Sequence, residues 1–197
     1  MLGKFAEDYL KSRTYTSEMI TEEEILYLRE GSHIVEGTDI RVEGDSIGWI
    51  CRAMSGCLIG IQTRGIGEKN YKWNRASKAQ HLPIIYGSRK DHETFYKTGR
   101  MILTEGIFDR GAIRRCFPHY AAYARLSNGV GRNLANFIQR YGVSIWLAFD
   151  QDEPGQKATE RVEKGLKDKM NVNTLKFPLR IPLNLWRKRE RITQGSF

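Results

Sequence analysis

The chain has 197 residues, 40% of them hydrophobic and 28% charged, which is enough apolar material for one or two compact cores and too much for wholesale disorder. Three cysteines, Cys51, Cys57 and Cys116, with no C-x-x-C pair, set aside a disulfide scaffold, a zinc ribbon and a thioredoxin-type redox site. The net charge of +9 is unevenly spread: residues 1–51 carry 5 basic and 11 acidic side chains, residues 52–100 carry 10 and 3, and residues 176–197 carry 6 and 1.

No apolar run approaches the ~20 residues needed to span a bilayer, and the amino terminus lacks the apolar core of a signal peptide, so a soluble, cytoplasmic protein is expected. The basic blocks are interleaved with Tyr71, Trp73, Tyr86, Phe95, Tyr96 and Trp186. Lys and Arg neutralise phosphates and aromatic rings stack on bases, so these blocks suit a nucleic-acid surface as readily as a solvated face.

In chain order, Phe5 to Arg29 is mostly helical in pattern, with Thr21 and Glu24 forming a capping box ahead of Ile25, Leu26 and Leu28. From Ser32 to Arg64 short strand-like runs alternate with glycines, Ser46 to Arg52 and Leu58 to Thr63 among them, which predicts antiparallel hairpins. After Arg100 the rhythm changes. Strands are predicted over 101–104, 119–126, 143–149 and 172–176, and helices over 108–115, 132–141 and about 154–169. Strict alternation of strand and helix argues an α/β fold, a parallel sheet flanked by helices and preceded by a smaller mixed α+β subdomain. The expected division is 1–100, 101–176 and a basic tail over 177–197.

Chemistry-bearing residues fall where such a sheet gathers ligands, at the carboxyl ends of strands. Glu105 follows the first strand of the alternation, with Asp109 one helical turn on; Asp150 and Asp152 follow the strongly apolar strand. Neighbouring strands would present these acids along one rim, a natural site for hard cations such as Mg²⁺, which take oxygen ligands and leave room for phosphate oxygens. The intervening loop, with Gly129 and Gly131, would let backbone N–H groups approach a phosphate. The structural alternative is that Asp150 caps a helix, Asp152 sits favourably in its first turn, and the glycines make a turn.

The segments Ile102-Leu-Thr-Glu105-Gly-Ile-Phe-Asp109 and Leu147-Ala-Phe-Asp150-Gln-Asp152-Glu-Pro-Gly155 resemble the Toprim domain of bacterial-type primases, topoisomerases and some nucleases. Upstream, Leu58 to Arg64, Glu68 to Lys72 and Leu82 to Gly87 are similar in order and spacing to the basic subdomain that precedes Toprim in the primase RNA polymerase core, phage primases included. The resemblance covers roughly residues 40–176.

It implies a DNA primase core that makes short RNA primers on single-stranded DNA from ribonucleoside triphosphates. Glu105 and Asp109 would be catalytic, and Glu105, Asp109, Asp150 and Asp152 would hold Mg²⁺ or Mn²⁺. Arg64, Lys69 and Lys72, with Gly129 and Gly131, would bind nucleotide and template. A replicative helicase or a zinc-domain partner is implied, since Cys51, Cys57, His33 and His81 have no zinc-site spacing and read as core or strand residues. The acidic motif that usually follows the family's next strand has no counterpart in 177–184. That leaves two rivals, a metal-dependent Toprim nuclease and an inactive nucleic-acid-binding subunit.

Overall fold

The computed structural model describes residues 3–13, 15–67, 70–77, 79, 82–126, 132–141, 144–166 and 172–175. Two short helices open the chain. α1 (Lys4–Ser12) buries Ala6 and Leu10 on its inner face, and α2 (Ser17–Glu22) is capped by Thr16, whose hydroxyl accepts the Met19 N–H at 3.2 Å. The helical reading of the whole stretch to Arg29 fails beyond Glu22. Ile25–Leu28 is a strand, β1, antiparallel to β4 (Ser46–Arg52), with Ile25 opposite Trp49. Nor do Thr21 and Glu24 form a capping box. The Thr21 hydroxyl donates to the Ser17 carbonyl inside α2, and Glu24 takes Arg52 of β4 in a 2.7 Å ion pair. A four-residue apolar run fits either period, and a partner strand twenty residues away decides it.

The predicted hairpins form. β2 (Gly31–Val35) and β3 (Thr38–Val42) are joined by Glu36-Gly37, both at positive φ (48° and 76°), as a two-residue turn that follows strand twist requires. β5 (Leu58–Gly65) pairs with β4 and with β6 (Tyr71–Arg75), giving an antiparallel sheet ordered β1-β4-β5-β6.

The second sheet starts at β7 (Ile85–Tyr86). α3 (Arg89–Thr98) follows, opened by a reciprocal capping box between Ser88 and Asp91. Then come β8 (Arg100–Thr104), α4 (Ile107–Cys116), β9 (Ala121–Arg125), α5 (Arg132–Tyr141), β10 (Ser144–Ala148), α6 (Glu153–Leu166) and β11 (Val172–Thr174). The strand order is β11-β10-β8-β9-β7. β8 to β11 are parallel as expected, whereas β7 is a short antiparallel edge strand that the alternation did not predict. α4 packs its Ile113 with Ile102, Ala122 and Ala148 on one face; α5 and α6 cover Met101, Leu103, Tyr123, Ile145 and Leu147 on the other.

One core joins the two sheets. Phe108 of α4 meets Tyr9, Tyr15 and Trp49 edge-on, with ring centroids 5.5–6.3 Å apart, an arrangement that adds to the gain from burial. Beside it lies an ionic network. Arg110, fully buried, pairs with Glu23 at 2.7 Å and with Asp91, and its Nε donates to the Ala122 carbonyl at 3.1 Å. Arg114 pairs with Glu22 and Glu23, and the Tyr86 hydroxyl donates to Glu23 at 2.6 Å.

Burial pushes the Asp91 carboxyl up, but the Arg110 charge and the Ser88 hydroxyl more than offset this and hold it below the usual aspartate value. A depressed folded value means stability that is present above the unfolded pKa of about 4 and lost as pH falls through the folded one. Urea unfolding repeated from pH 6 downward should therefore show stability dropping below about pH 4, with a shallower drop in Asp91→Asn.

Candidate active site at the carboxyl rim

β8 and β10 lie side by side in parallel, Thr104 opposite Ala148, so the residues that follow them, Glu105 and Phe149-Asp150, emerge at the same edge. This is the predicted rim. Asp109 joins it from the first turn of α4, its Oδ2 folded so closely over Gly106 that a Cβ there would stand 2.9 Å away. Burial, then the neighbouring Asp150 and Glu105 charges, push the Asp109 carboxyl up to about 6. Three carboxylates thus share one local field.

Asp152 is turned to a different task. It is exposed, and its Oδ1 accepts the Gly155 N–H at 2.9 Å, so it caps α6, the role that the structural alternative gave to Asp150. Gly155 is required for this turn, because a Cβ would lie 2.0 Å from the Asp150 carbonyl oxygen. Gly155→Ala should cost about 1–3 kcal/mol in urea unfolding through overpacking, and a cost below 0.5 kcal/mol would show that the Asp150 loop yields freely.

The basic residues fall in three places. Arg64 is buried, its guanidinium 4.8–5.8 Å from the ring centres of Phe108, Tyr71 and Tyr9, and its Nε and Nη1 have no hydrogen-bond partner. It borders the rim through Phe108, the neighbour of Asp109. Lys72 pairs with Thr63 across the sheet while Arg64 pairs with Tyr71, so their side chains point to opposite faces; Lys72 lines a separate cleft with Arg41. Lys69, Gly129 and Gly131 lie outside the described residues.

Three cations were missed. Arg125 ends β9, is 7% exposed, stacks 4.8 Å above Phe149 and donates to Glu105 at 3.0 Å. Lys157 and Arg161 of α6 line a cleft of about 460 Å³ with Glu105 and Arg125. Arg125 carried the same positional signal as Glu105, a charge ending an apolar strand.

All four predicted ligands offer carboxylate oxygen, the donor for a hard divalent cation, and the mutual repulsion felt by Asp109 is what such a cation would relieve. As the side chains stand, no three His, Cys, Asp or Glu among the described residues converge closely enough to chelate one. Cys51 is buried in β4, as its reading as a core residue requires, whereas Cys57 is exposed in the turn before β5 and is neither a core nor a strand residue; both thiols are free.

Residues 102–183, which hold the parallel sheet and its acid-tipped strands, match the family model described as Toprim-like. With its antiparallel subdomain the chain has the fold of bacterial primase catalytic cores. It superposes on the *Aquifex aeolicus* primase zinc-binding and RNA polymerase domains with a TM-score of 0.76 at 18% identity, over 98% of this chain and 55% of that one. A *Pseudomonas aeruginosa* DNA primase domain gives 0.75 at 20% identity, over 97% and 71%. A DnaG primase catalytic domain bound to single-stranded DNA gives 0.71 at 16%, over 95% and 70%.

In sequence the chain is similar to the *Staphylococcus epidermidis* DNA primase, 23% identical over 89% of this chain and 34% of that protein. It is 31% identical to the *Rickettsia felis* DNA primase over 53% of this chain and 18% of that protein. The chain thus spans about a third or less of these relatives.

Proposed function

We propose that the chain is the catalytic core of a DNA primase, joining ribonucleotides on a single-stranded DNA template by metal-dependent nucleotidyl transfer. The observation that carries this reading is the acid rim of Glu105, Asp109 and Asp150, set in a chain that superposes almost end to end on primase cores. Glu105, Asp109, Asp150 and Asp152 would hold Mg²⁺ or Mn²⁺, which would supply charge neutralisation at the α-phosphate and lower the pKa of the attacking 3′-hydroxyl.

The chain's own residues bind and orient. Arg64 offers two unpaired donors beside the rim, and Arg125 fixes the direction of the Glu105 carboxylate through their ion pair. Lys72 and Arg41 line a cleft on the other face of the amino-terminal sheet together with Glu43 and Asp45, so their charges are balanced there. Among the described residues no helix is long and apolar enough to cross a membrane, and a primase works where DNA is replicated, in the cytoplasm of a bacterial or phage-infected cell. The zinc-binding domain in the *Aquifex* structure suggests the partner that selects the template.

Labelled ribonucleotides, Mg²⁺ or Mn²⁺ and single-stranded DNA should give short oligoribonucleotides, with or without an added zinc-domain partner. If none appears under either condition at any protein concentration, the reading is wrong. Metal-dependent cleavage of the template in the same tubes, lost in Glu105→Gln, would put a nuclease in its place.

A further inference from the structure

The cleft walled by Arg125, Lys157 and Arg161 lies on the α6 side of Glu105, across the sheet from Asp109 and Arg64. Residues 121, 123 and 125 alternate onto the face that α5 and α6 cover, as do 101, 103 and 105, whereas α4 packs on the opposite face. None of its three cations belongs to the acid rim or to the Arg64 and Lys72 surfaces.

We propose that this cleft binds a diphosphate unit: the terminal phosphates of a nucleoside triphosphate or the pyrophosphate it releases. The proposal deepens the primase reading and rests on it for the source of the ligand.

Two independent observations point to an anion. First, Arg125 is a built feature. Its side chain is 5% exposed, fixed by stacking on Phe149 and by Nη2 on Glu105, yet its Nε has no hydrogen-bond partner. A buried guanidinium donor left unmade costs stability unless a ligand or water completes it. Second, Lys157 and Arg161 stand four residues apart on α6, so both reach the cleft from one helix face. The Arg161 side chain has no ion pair or hydrogen bond among the described residues. Lys157 has only Glu153, and that pair is 60% and 77% exposed, so it opposes recruitment weakly.

Three cations against Glu105 and Glu153 leave the cleft net positive, and guanidinium and ammonium groups are the side chains that bind phosphate by charge-assisted hydrogen bonds. At about 460 Å³ the cleft has room for a small ligand, and Pro154 and Ala158 make part of its wall apolar.

Calorimetry on the full chain would use inorganic pyrophosphate as the probe. Lys157→Ala and Arg161→Ala, both at exposed positions, should each weaken it about tenfold, and the double variant more, because charge-assisted contacts to phosphate are lost. Arg125→Lys should weaken it as well, with circular dichroism and the melting temperature confirming that the variant folds. Unchanged pyrophosphate affinity in the double variant overturns the proposal. So does a loss of affinity for a single-stranded oligonucleotide lacking a 5′-phosphate while pyrophosphate binding is kept, which would make the cleft a backbone contact. Pyrophosphate binding is read without any synthesis, so a chain that binds through these residues but makes no primer refutes the primase reading and leaves the cleft standing.

Discussion

Arg110→Ala should destabilise the protein by about 3–5 kcal/mol, read as a fall in the urea midpoint without a change in slope. The guanidinium is fully buried and holds two carboxylates, Glu23 from the end of α2 and Asp91 from the first turn of α3, which are buried with it. Removing the cation leaves both without their principal counter-charge in a medium that solvates them poorly. Breaking a buried pair from one side costs far more than the pair contributes net.

Asp91 has other obligations that prevent it from simply protonating and relaxing. Its Oδ2 accepts the Ser88 N–H and hydroxyl in the α3 capping box, and its Oδ1 accepts the Ala122 N–H of β9 at 3.1 Å. The damage should therefore spread from α4 to α3 and β9. A second variant, Glu23→Gln with Arg110→Met, removes one orphaned charge along with the cation and should recover part of the loss. A cost below 1 kcal/mol for Arg110→Ala would mean that water reaches the network and that α4 is held by its apolar residues, Ile107, Phe108 and Ile113.

This network marks where reading the chain stops and three-dimensional packing begins. The strand-helix alternation after Arg100 was legible because each strand is an apolar run and each helix repeats its apolar positions at helical spacing, both local signals. The acid rim was legible for the same reason: the parallel alternation assigns the carboxyl ends, and Glu105 and Asp150 sit on them.

Other features depend on partners distant in sequence. Arg110 beside Asp109 looks like an ordinary solvated charge, and its burial depends on Glu23, 87 residues away. Ile25–Leu28 continues an apparent helix until Trp49 and its neighbours claim it as a strand. β7 is two residues long, too short for any periodicity. Arg64 was assigned to phosphate by its charge, while three aromatic rings around its guanidinium define its actual setting. Arg125 pairs with Glu105 across 20 residues of sequence, a contact that nothing local to either residue signals.

Glu105→Gln should lower primer synthesis by about 10²–10³-fold while leaving the melting temperature within a few degrees of the parent, since removal of one preorganised electrostatic group in an active site typically has an effect of that size. The amide keeps the carboxylate's shape and can still accept from Arg125 through its Oε1, so the ion pair becomes a neutral-acceptor hydrogen bond and the cleft beside it is preserved. What disappears is the negative charge at the tip of β8.

Asp150→Asn tests the other strand tip and should give a loss of the same order. Asp152→Asn separates capping from metal binding, because asparagine caps a helix about as well as aspartate and the bond from Gly155 should survive. If Asp152 contributes its free oxygen to a cation, that variant loses synthesis at unchanged stability; if its work is the cap alone, synthesis stays within threefold of the parent. Each variant should also weaken Mn²⁺ binding in calorimetry in step with its loss of synthesis. Full synthesis in both Glu105→Gln and Asp150→Asn would remove the rim from the reaction, whatever the fold around it resembles.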